Sequence, residues 1–219
     1  MNIVIYGKGD FAKLMYYYFQ HDSNYKVAAF CVDKDYIDAD NFCDLPLIAF
    51  EDTVKKYPPE NFKAFVAVGY SNMRVRKTMF DKIKNKGYHC INYISSKSII
   101  NDNAVLGENN VVLENTVIEP FVKIGDNNII WASSNICHNA IIMSHSFIAA
   151  QSLIGGFSII KNNCFLGFAS TIVQNIVLEA ETLVSAKSLM LKNSEKYSKY
   201  LGTPAKKVAN HKKDGIKIK

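Results

Sequence analysis

The sequence predicts two different folds in tandem. An α/β domain over residues 1–96 is followed by an all-β parallel β-helix over residues 97–192, then by a cap and basic tail over 193–219. Two observations carry this reading. Strand-like and helix-like stretches alternate up to residue 95, and from Ile100 every sixth residue is a long or branched aliphatic as far as Met190.

The first element, NIVIYG (2–7), is an apolar strand, and Gly7-Lys8-Gly9-Asp10-Phe11-Ala12 then turns into a helix running from Phe11 to about Gln20. VAAFCVD (27–33) is a second strand ending on Asp33, and FKAFVAVG (62–69) is a third. A helix follows from about Ser71 to Asn85, and YHCINYIS (88–95) reads as a fourth strand. Strands apolar on both faces and separated by helices argue a small parallel sheet covered by helices.

The turn Gly7-x-Gly9-x-x-Ala12, with an acid ending the next strand, has the pattern of a nucleotide site. Glycines admit the ligand to the backbone, the helix N-terminus favours phosphate, and the acid accepts from a hydroxyl. The same turn also serves simply to reverse the chain. The domain is too short for both halves of a dinucleotide fold, so a mononucleotide or nucleotide-sugar is expected rather than NAD. Gly69-Tyr70-Ser71-Asn72 is a second strand-to-helix junction. Arg74 and Arg76 behind it read either as phosphate partners or as a solvated helix face.

From Ile100 the aliphatic series runs through Leu106, Val112, Ile118, Ile124 and Ile130, and on through Ile136, Ile142 and Ile148 to Met190. A period of six fits neither a helix nor a flat strand, but it fits a parallel β-helix in which three hexads close one triangular coil. The aliphatic points inward and stacks on its equivalent eighteen residues along. The fourth residue after it is nearly always small (Ser134, Ala140, Ser146, Ser152, Ser158), as a crowded corner demands. Residues 100–189 therefore make about five coils whose two ends need caps.

The chain begins MNIVIYG, which enters a strand at once, and no apolar run approaches the ~18 residues that cross a bilayer, so a cytoplasmic protein without membrane insertion is expected. Five scattered cysteines, none in a C-x-x-C pair, read as reduced thiols. The net charge of +6 lies largely in the tail from Lys206 to Lys219, and without aromatic-basic interleaving it argues for a solvated tail or a phosphate-bearing cofactor over nucleic acid.

Of five histidines, only His138 and His145 lie in the β-helix, both at turn positions. His138 is expected to project near an edge, with one ring nitrogen free for general-base work. Two histidines do not make a three-histidine zinc site, so no metal is expected. Cys137 beside His138 would point the other way on an extended segment, against a thiol nucleophile.

With these residues in place, the whole chain resembles the bacterial nucleotide-sugar aminotransacetylases of the left-handed β-helix (hexapeptide repeat) superfamily. It is most similar to the UDP-4-amino-4,6-dideoxy-sugar N-acetyltransferases and the wider sialic acid O-acetyltransferase-like group. The Rossmann-like first domain, the hexads, Asn163-Cys164-Phe165-Leu166-Gly167 and the ending Gly202-Thr203-Pro204-Ala205-Lys206 carry the likeness. The resemblance implies a homotrimer with acetyl-CoA between neighbouring β-helices. It implies an N-acetyltransferase acting on the amine of a UDP-, dTDP- or GDP-linked 4-amino-4,6-dideoxyhexose in surface glycan biosynthesis. The alternatives are a sugar O-acetyltransferase and a non-catalytic assembly subunit.

The family's basic histidine of an H-[DE] pair falls on His138, with the acid replaced by Asn139; a second family histidine is Phe147 here. The resemblance also places Phe147, Phe168, Ala186 and Lys206 at the cofactor. It places Gly9, Asp10, Phe11, Asp33, Lys34 and Gly69 at the nucleotide-sugar. The family's G-x-[SG]-G-H-G turn lacks its histidine here. Trp131 is placed either against the hexose or in the trimer core.

Overall fold

The computed structural model describes residues 1–218, which divide into two compact units: residues 1–69 with 78–93, and residues 70–77 with the chain from 94 on. In the first unit, β1 (Asn2–Tyr6), β2 (Lys26–Val32), β3 (Asn41–Phe42), β4 (Leu45–Ala49) and β5 (Lys63–Val66) form a sheet of order β3-β4-β2-β1-β5. Only the β3–β4 pair is antiparallel. Helix α1 (Asp10–His21) buries Ala12, Met15 and Phe19, spaced three and four apart, and Phe19 meets Phe65 edge-on. Phe80 and Ile83, late in α2 (Met73–Asn85), pack with Val4, Tyr6 and Val66, which alternate to the other face of their strands.

Two expectations need correction. Residues 88–95 are not a full strand: a single bridge joins Cys90 to Ala64, and only Tyr93–Ile94 is extended with a partner. The strand β4 was not foreseen, because Pro46 inside it lacks the N–H that a ladder uses. Pro46 is tolerated there because β4 pairs in parallel with β2 only from Leu47 onward.

In the second unit, sixteen two-residue rungs from Ile99–Ile100 to Leu189–Met190 stack as three parallel sheets of a left-handed β-helix. The register advances eighteen residues per coil, Ile118 on Ile136 on Ile154 on Ile172, so the hexad aliphatics form three inward columns. Nearly all of them are sealed from solvent. Each such burial stabilises by roughly 1.5–3 kcal/mol.

The small fourth residues are interior too, and this explains their chemistry. Ser134, Ser146 and Ser158 donate their hydroxyls to the carbonyls of Ala149, Lys161 and Val173, fifteen residues on, at 3.3, 3.3 and 2.9 Å. A hydroxyl at these positions therefore satisfies backbone that a wider side chain would push aside. The residue before each of these fourth positions, from Asn109 to Lys187, takes positive φ and turns the corner.

The C-terminal end is capped as well. Ser198–Leu201 adds to the stack beside Leu183–Val184, and the main chain of Gly202 and Ala205 bonds Leu189. The basic tail departs from expectation, since it is not simply solvated. Met73 N–H donates to Ile216 C=O (3.2 Å), Ile218 N–H donates to Ser71 C=O (3.1 Å), and Ile216 is buried.

Candidate active site

His138 sits at the corner between the rungs Asn135–Ile136 and Ile141–Ile142, with its side chain exposed. The corner is held through its own main-chain groups. His138 N–H donates to Glu119 Oε2 (2.7 Å), His138 C=O accepts from Phe157 N–H (3.2 Å), and Asn139 N–H donates to Pro120 C=O (3.2 Å). Asn139 takes φ 60°, a left-handed conformation that asparagine tolerates well.

Nδ1 of His138 lies 3.2 Å from Oδ1 of Asn139. An amide oxygen only accepts, so Nδ1 carries the proton and the neutral ring keeps its lone pair on Nε2. The ring meets the edge of Phe157 at 5.2 Å between centroids. Gly156 lies directly against it: a Cβ there would stand 3.0 Å from Cε1 and 3.1 Å from Nε2. The adjacent Cys137 thiol has its pKa raised, by burial and by the Glu119 carboxylate, which keeps it protonated.

Phe168 and Ala186 lie at a different edge of the β-helix, the corner following the rungs Phe165–Leu166 and Leu183–Val184. They are one coil apart, with Lys187 N–H bonded to Phe168 C=O (2.8 Å), and both are exposed. Gly167 allows this stacking, since a Cβ on it would fall 2.5 Å from Ala186 N. Phe147 is instead packed on a face, 4% exposed, stacked on Phe165 at 5.3 Å and capped by Tyr70 at 4.6 Å. Trp131 adds to that column at 5.8 Å from Phe147. Lys206 is exposed on the strand Lys206–Asn210.

In the first unit, Gly7 needs to be glycine. Its φ is 135°, and a Cβ would stand 2.5 Å from the carbonyl oxygen of Ala67. This close approach brings the turn ahead of α1 against the end of β5. Gly9 is the N-cap of α1 with open space where a Cβ would be, and Asp10 is in the first turn. Phe11 and Gly69 face one another, 3.9 Å from a Cβ built on the glycine.

Asp33 directly follows β2, with its carboxylate already engaged by the Tyr6 hydroxyl and by Lys82 Nζ at 2.6 Å. Burial works to raise its pKa, but the bonds from Lys82 and Tyr6 outweigh this and hold it below the usual carboxylate value. The Lys34 N–H donates to Glu51 Oε2 (3.2 Å).

The arginines behave as neither of the two expected alternatives. Arg76 is 1% exposed, and its guanidinium donates to the carbonyls of Asn127 (2.7 Å), His145 (3.3 Å) and Ser146 (3.4 Å). Arg74 pairs with Glu181 (3.0 Å) and reaches the carbonyls of Lys212 and Lys213. His145 belongs to the same cluster: it is buried, and its Nδ1 accepts from Asn127 Nδ2 at 3.1 Å. Among the described residues no group of three or more metal-ligating side chains converges, and no helix is long and apolar enough to cross a membrane.

Residues 2–83 match the family model of the PglD N-terminal domain, and residues 90–198 match that of the GMPPB C-terminal domain. No curated protein sequence matches the chain. Among solved structures it is similar to a variant of perosamine N-acetyltransferase from Caulobacter crescentus in complex with CoA and GDP-perosamine. That likeness has 21% identity and a TM-score of 0.83 over 96% of this chain and 98% of that one. It is also similar to the acetyltransferase domain of PglB from Neisseria gonorrhoeae in complex with acetyl coenzyme A (17% identity, TM-score 0.81, 94% and 98% covered). A third is WeeI from Acinetobacter baumannii (18% identity, TM-score 0.77, 95% and 100% covered).

Proposed function

We propose that this chain, which has the two-part fold of the nucleotide-sugar N-acetyltransferases of the hexapeptide-repeat superfamily, transfers the acetyl group of acetyl-CoA to the amine of a nucleotide-linked 4-amino-4,6-dideoxyhexose. The observation that carries this is fold likeness over nearly the whole chain to a protein solved with both CoA and a nucleotide amino sugar. The exposed His138 corner supplies the matching chemistry.

His138 is the base. Its Nε2 takes a proton from the attacking amine as the new C–N bond forms and the C–S bond breaks, and that proton passes to the departing thiolate of CoA. Asn139 holds the ring in the tautomer that leaves Nε2 unprotonated. A main-chain N–H of a neighbouring coil faces the developing oxyanion. A free amine is already a good nucleophile, so an amide partner suffices where a carboxylate would be needed to help activate a hydroxyl.

The geometry also supports a homotrimer. His138 and the Phe168–Ala186 pair occupy different edges of one β-helix. Acetyl-CoA that contacts both kinds of edge therefore lies in a groove between two copies. In this reading Phe168, Ala186 and Lys206 border the cofactor, while the packed Phe147 contributes from its backbone. Gly9, Asp10, Phe11, Asp33, Lys34 and Gly69 border the nucleotide. Free thiols and a pool of acetyl-CoA point to the cytoplasm.

The test is acetylation by the purified chain of UDP-, dTDP- and GDP-linked 4-amino-4,6-dideoxyhexoses, followed by thiol release and by mass gain on the sugar. Turnover of one of them, with a thermal shift for the same nucleotide, is expected; no turnover and no shift for any would end the proposal.

A further inference from the structure

Corner residues in this β-helix recur every six positions with positive φ, and asparagine, the residue that best tolerates that conformation, holds six of the fourteen from Asn109 to Lys187. Two are phenylalanines, Phe121 (φ 66°) and Phe157 (φ 60°). An aromatic is a poor choice at such a turn, because any Cβ crowds the following carbonyl there and a phenyl, unlike an Asn amide, has no local hydrogen bond to offset the cost. Both lie at the one edge that carries His138, one coil below and one coil above Asn139. They are also the most exposed aromatics of that edge, at 55% and 54%. Strained backbone carrying exposed apolar rings on either side of a base is poorly explained by folding alone.

Resting on the acetyltransferase reading, we propose that Phe121 and Phe157 are specificity-determining residues that receive the apolar side of the amino sugar, with its methyl group, while His138 faces the amine. Phe157 is 5.2 Å from the imidazole ring centre to centre. An amine within hydrogen-bond reach of Nε2 has its hexose ring within a few ångströms of that phenyl. Gly156, having no Cβ, lets the His138 ring lie close against the coil beside Phe157. A phenyl surface offers no hydrogen-bond partner to a C6 hydroxyl, so a hydroxymethyl sugar loses water there without replacement, whereas a methyl gains contact. Rungs lie about 4.8 Å apart, so the two rings stand roughly 10 Å from each other, the width of a single hexose and its contacts.

The experiment compares the full chain with its Phe157→Asn and Phe121→Asn variants on two nucleotide-linked 4-amino sugars that differ only in carrying methyl or hydroxymethyl at C5. The unaltered chain is expected to prefer the methyl sugar by about 10- to 100-fold in kcat/KM. Phe157→Asn is expected to cut that preference at least threefold with KM for acetyl-CoA unchanged and the oligomer intact by size-exclusion chromatography. An unchanged preference overturns the proposal. A raised KM for acetyl-CoA instead assigns the rings to the pantetheine arm, and dissociation of the oligomer assigns them to the interface; either overturns it. An unaltered chain that acetylates neither sugar overturns the acetyltransferase reading itself, a result separable from the other three.

Discussion

Arg76 Nη2 donates to the main-chain oxygen of Asn127 at 2.7 Å, from a guanidinium that is almost wholly out of water. Burial lowers its pKa to about 9, so it remains protonated at neutral pH, and the surrounding carbonyls disperse its charge. Three successive coils are stitched through that corner: Asn109 donates to Asn127, and Asn127 donates to His145. Arg76→Met is expected to lower unfolding free energy by about 2–4 kcal/mol, because several buried carbonyls lose their donor. Arg76→Lys should recover little, since an ammonium cannot reach three acceptors in a plane. Urea denaturation of the three proteins checks this.

The two β-helix histidines should separate cleanly by experiment. His138→Ala is expected to reduce kcat by about 10²–10⁴ with the urea midpoint unchanged, because the side chain is exposed and its corner is held through the main-chain groups of His138 and Asn139. His145→Ala should do the opposite, costing about 1–2 kcal/mol of stability through its lost bond to Asn127 while leaving kcat within a few-fold. Steady-state kinetics and denaturation on both variants give four numbers, and a swapped pattern would move the base to His145.

Glycines on the coils make a second contrast. At Gly167 an added Cβ meets main chain at 2.5 Å, so Gly167→Ala must separate two coils and is expected to unfold or aggregate the protein. At Gly156 the atoms in the way are the His138 ring at 3.0–3.1 Å and its carbonyl oxygen at 3.1 Å, none closer than 3.0 Å. A shift of a few tenths of an ångström relieves this. Gly156→Ala should therefore fold, with a thermal midpoint close to the parent, yet lose at least tenfold in kcat because Nε2 is displaced.

The β-helix was legible because its period is its geometry: Ile118, Ile136, Ile154 and Ile172 stack in the register that a spacing of eighteen requires. His138 was legible for a related reason, since its place in the hexad says that it lies on a corner. What the chain hides are features set by non-local packing. Arg76 looks like any helix-surface arginine until Asn127, His145 and Ser146 close around it, and no local pattern announces partners some fifty to seventy residues away. The residues around Cys90 are apolar enough for a strand, yet find a bridge only at Ala64. Asp33 has the position of a ligand-binding acid, and only the structure shows Tyr6 and Lys82 already bonded to it.

That engagement gives a pH prediction. Asp33 has a depressed pKa in the folded chain, so its contribution to stability is fully present above the unfolded carboxyl value of about 3.9 and is lost as pH falls through the folded one. Asp33→Asn should be less stable than the parent at pH 7, with the gap closing below about pH 4. Lys82 is 42% exposed, so solvent screening limits its part of the effect to about 1 kcal/mol or less. Denaturant midpoints at pH 7 and pH 3 decide it: a gap that is constant with pH would mean the carboxylate is not what stabilises this contact.

The phenylalanine corners carry a stability prediction with the reverse sign to most substitutions. Phe157 is 54% exposed, so replacing it forfeits little burial, while Asn at φ 60° offsets the same Cβ crowding with a local amide hydrogen bond, a difference of about 1 kcal/mol. Phe157→Asn and Phe121→Asn should each raise the thermal midpoint by about 2–4 °C for a chain of this size. Lost turnover on the methyl sugar together with a higher midpoint is the pattern of a residue kept for chemistry at the expense of folding. A lower midpoint in both variants would instead mean that the two rings are held by contacts that stabilise the assembly.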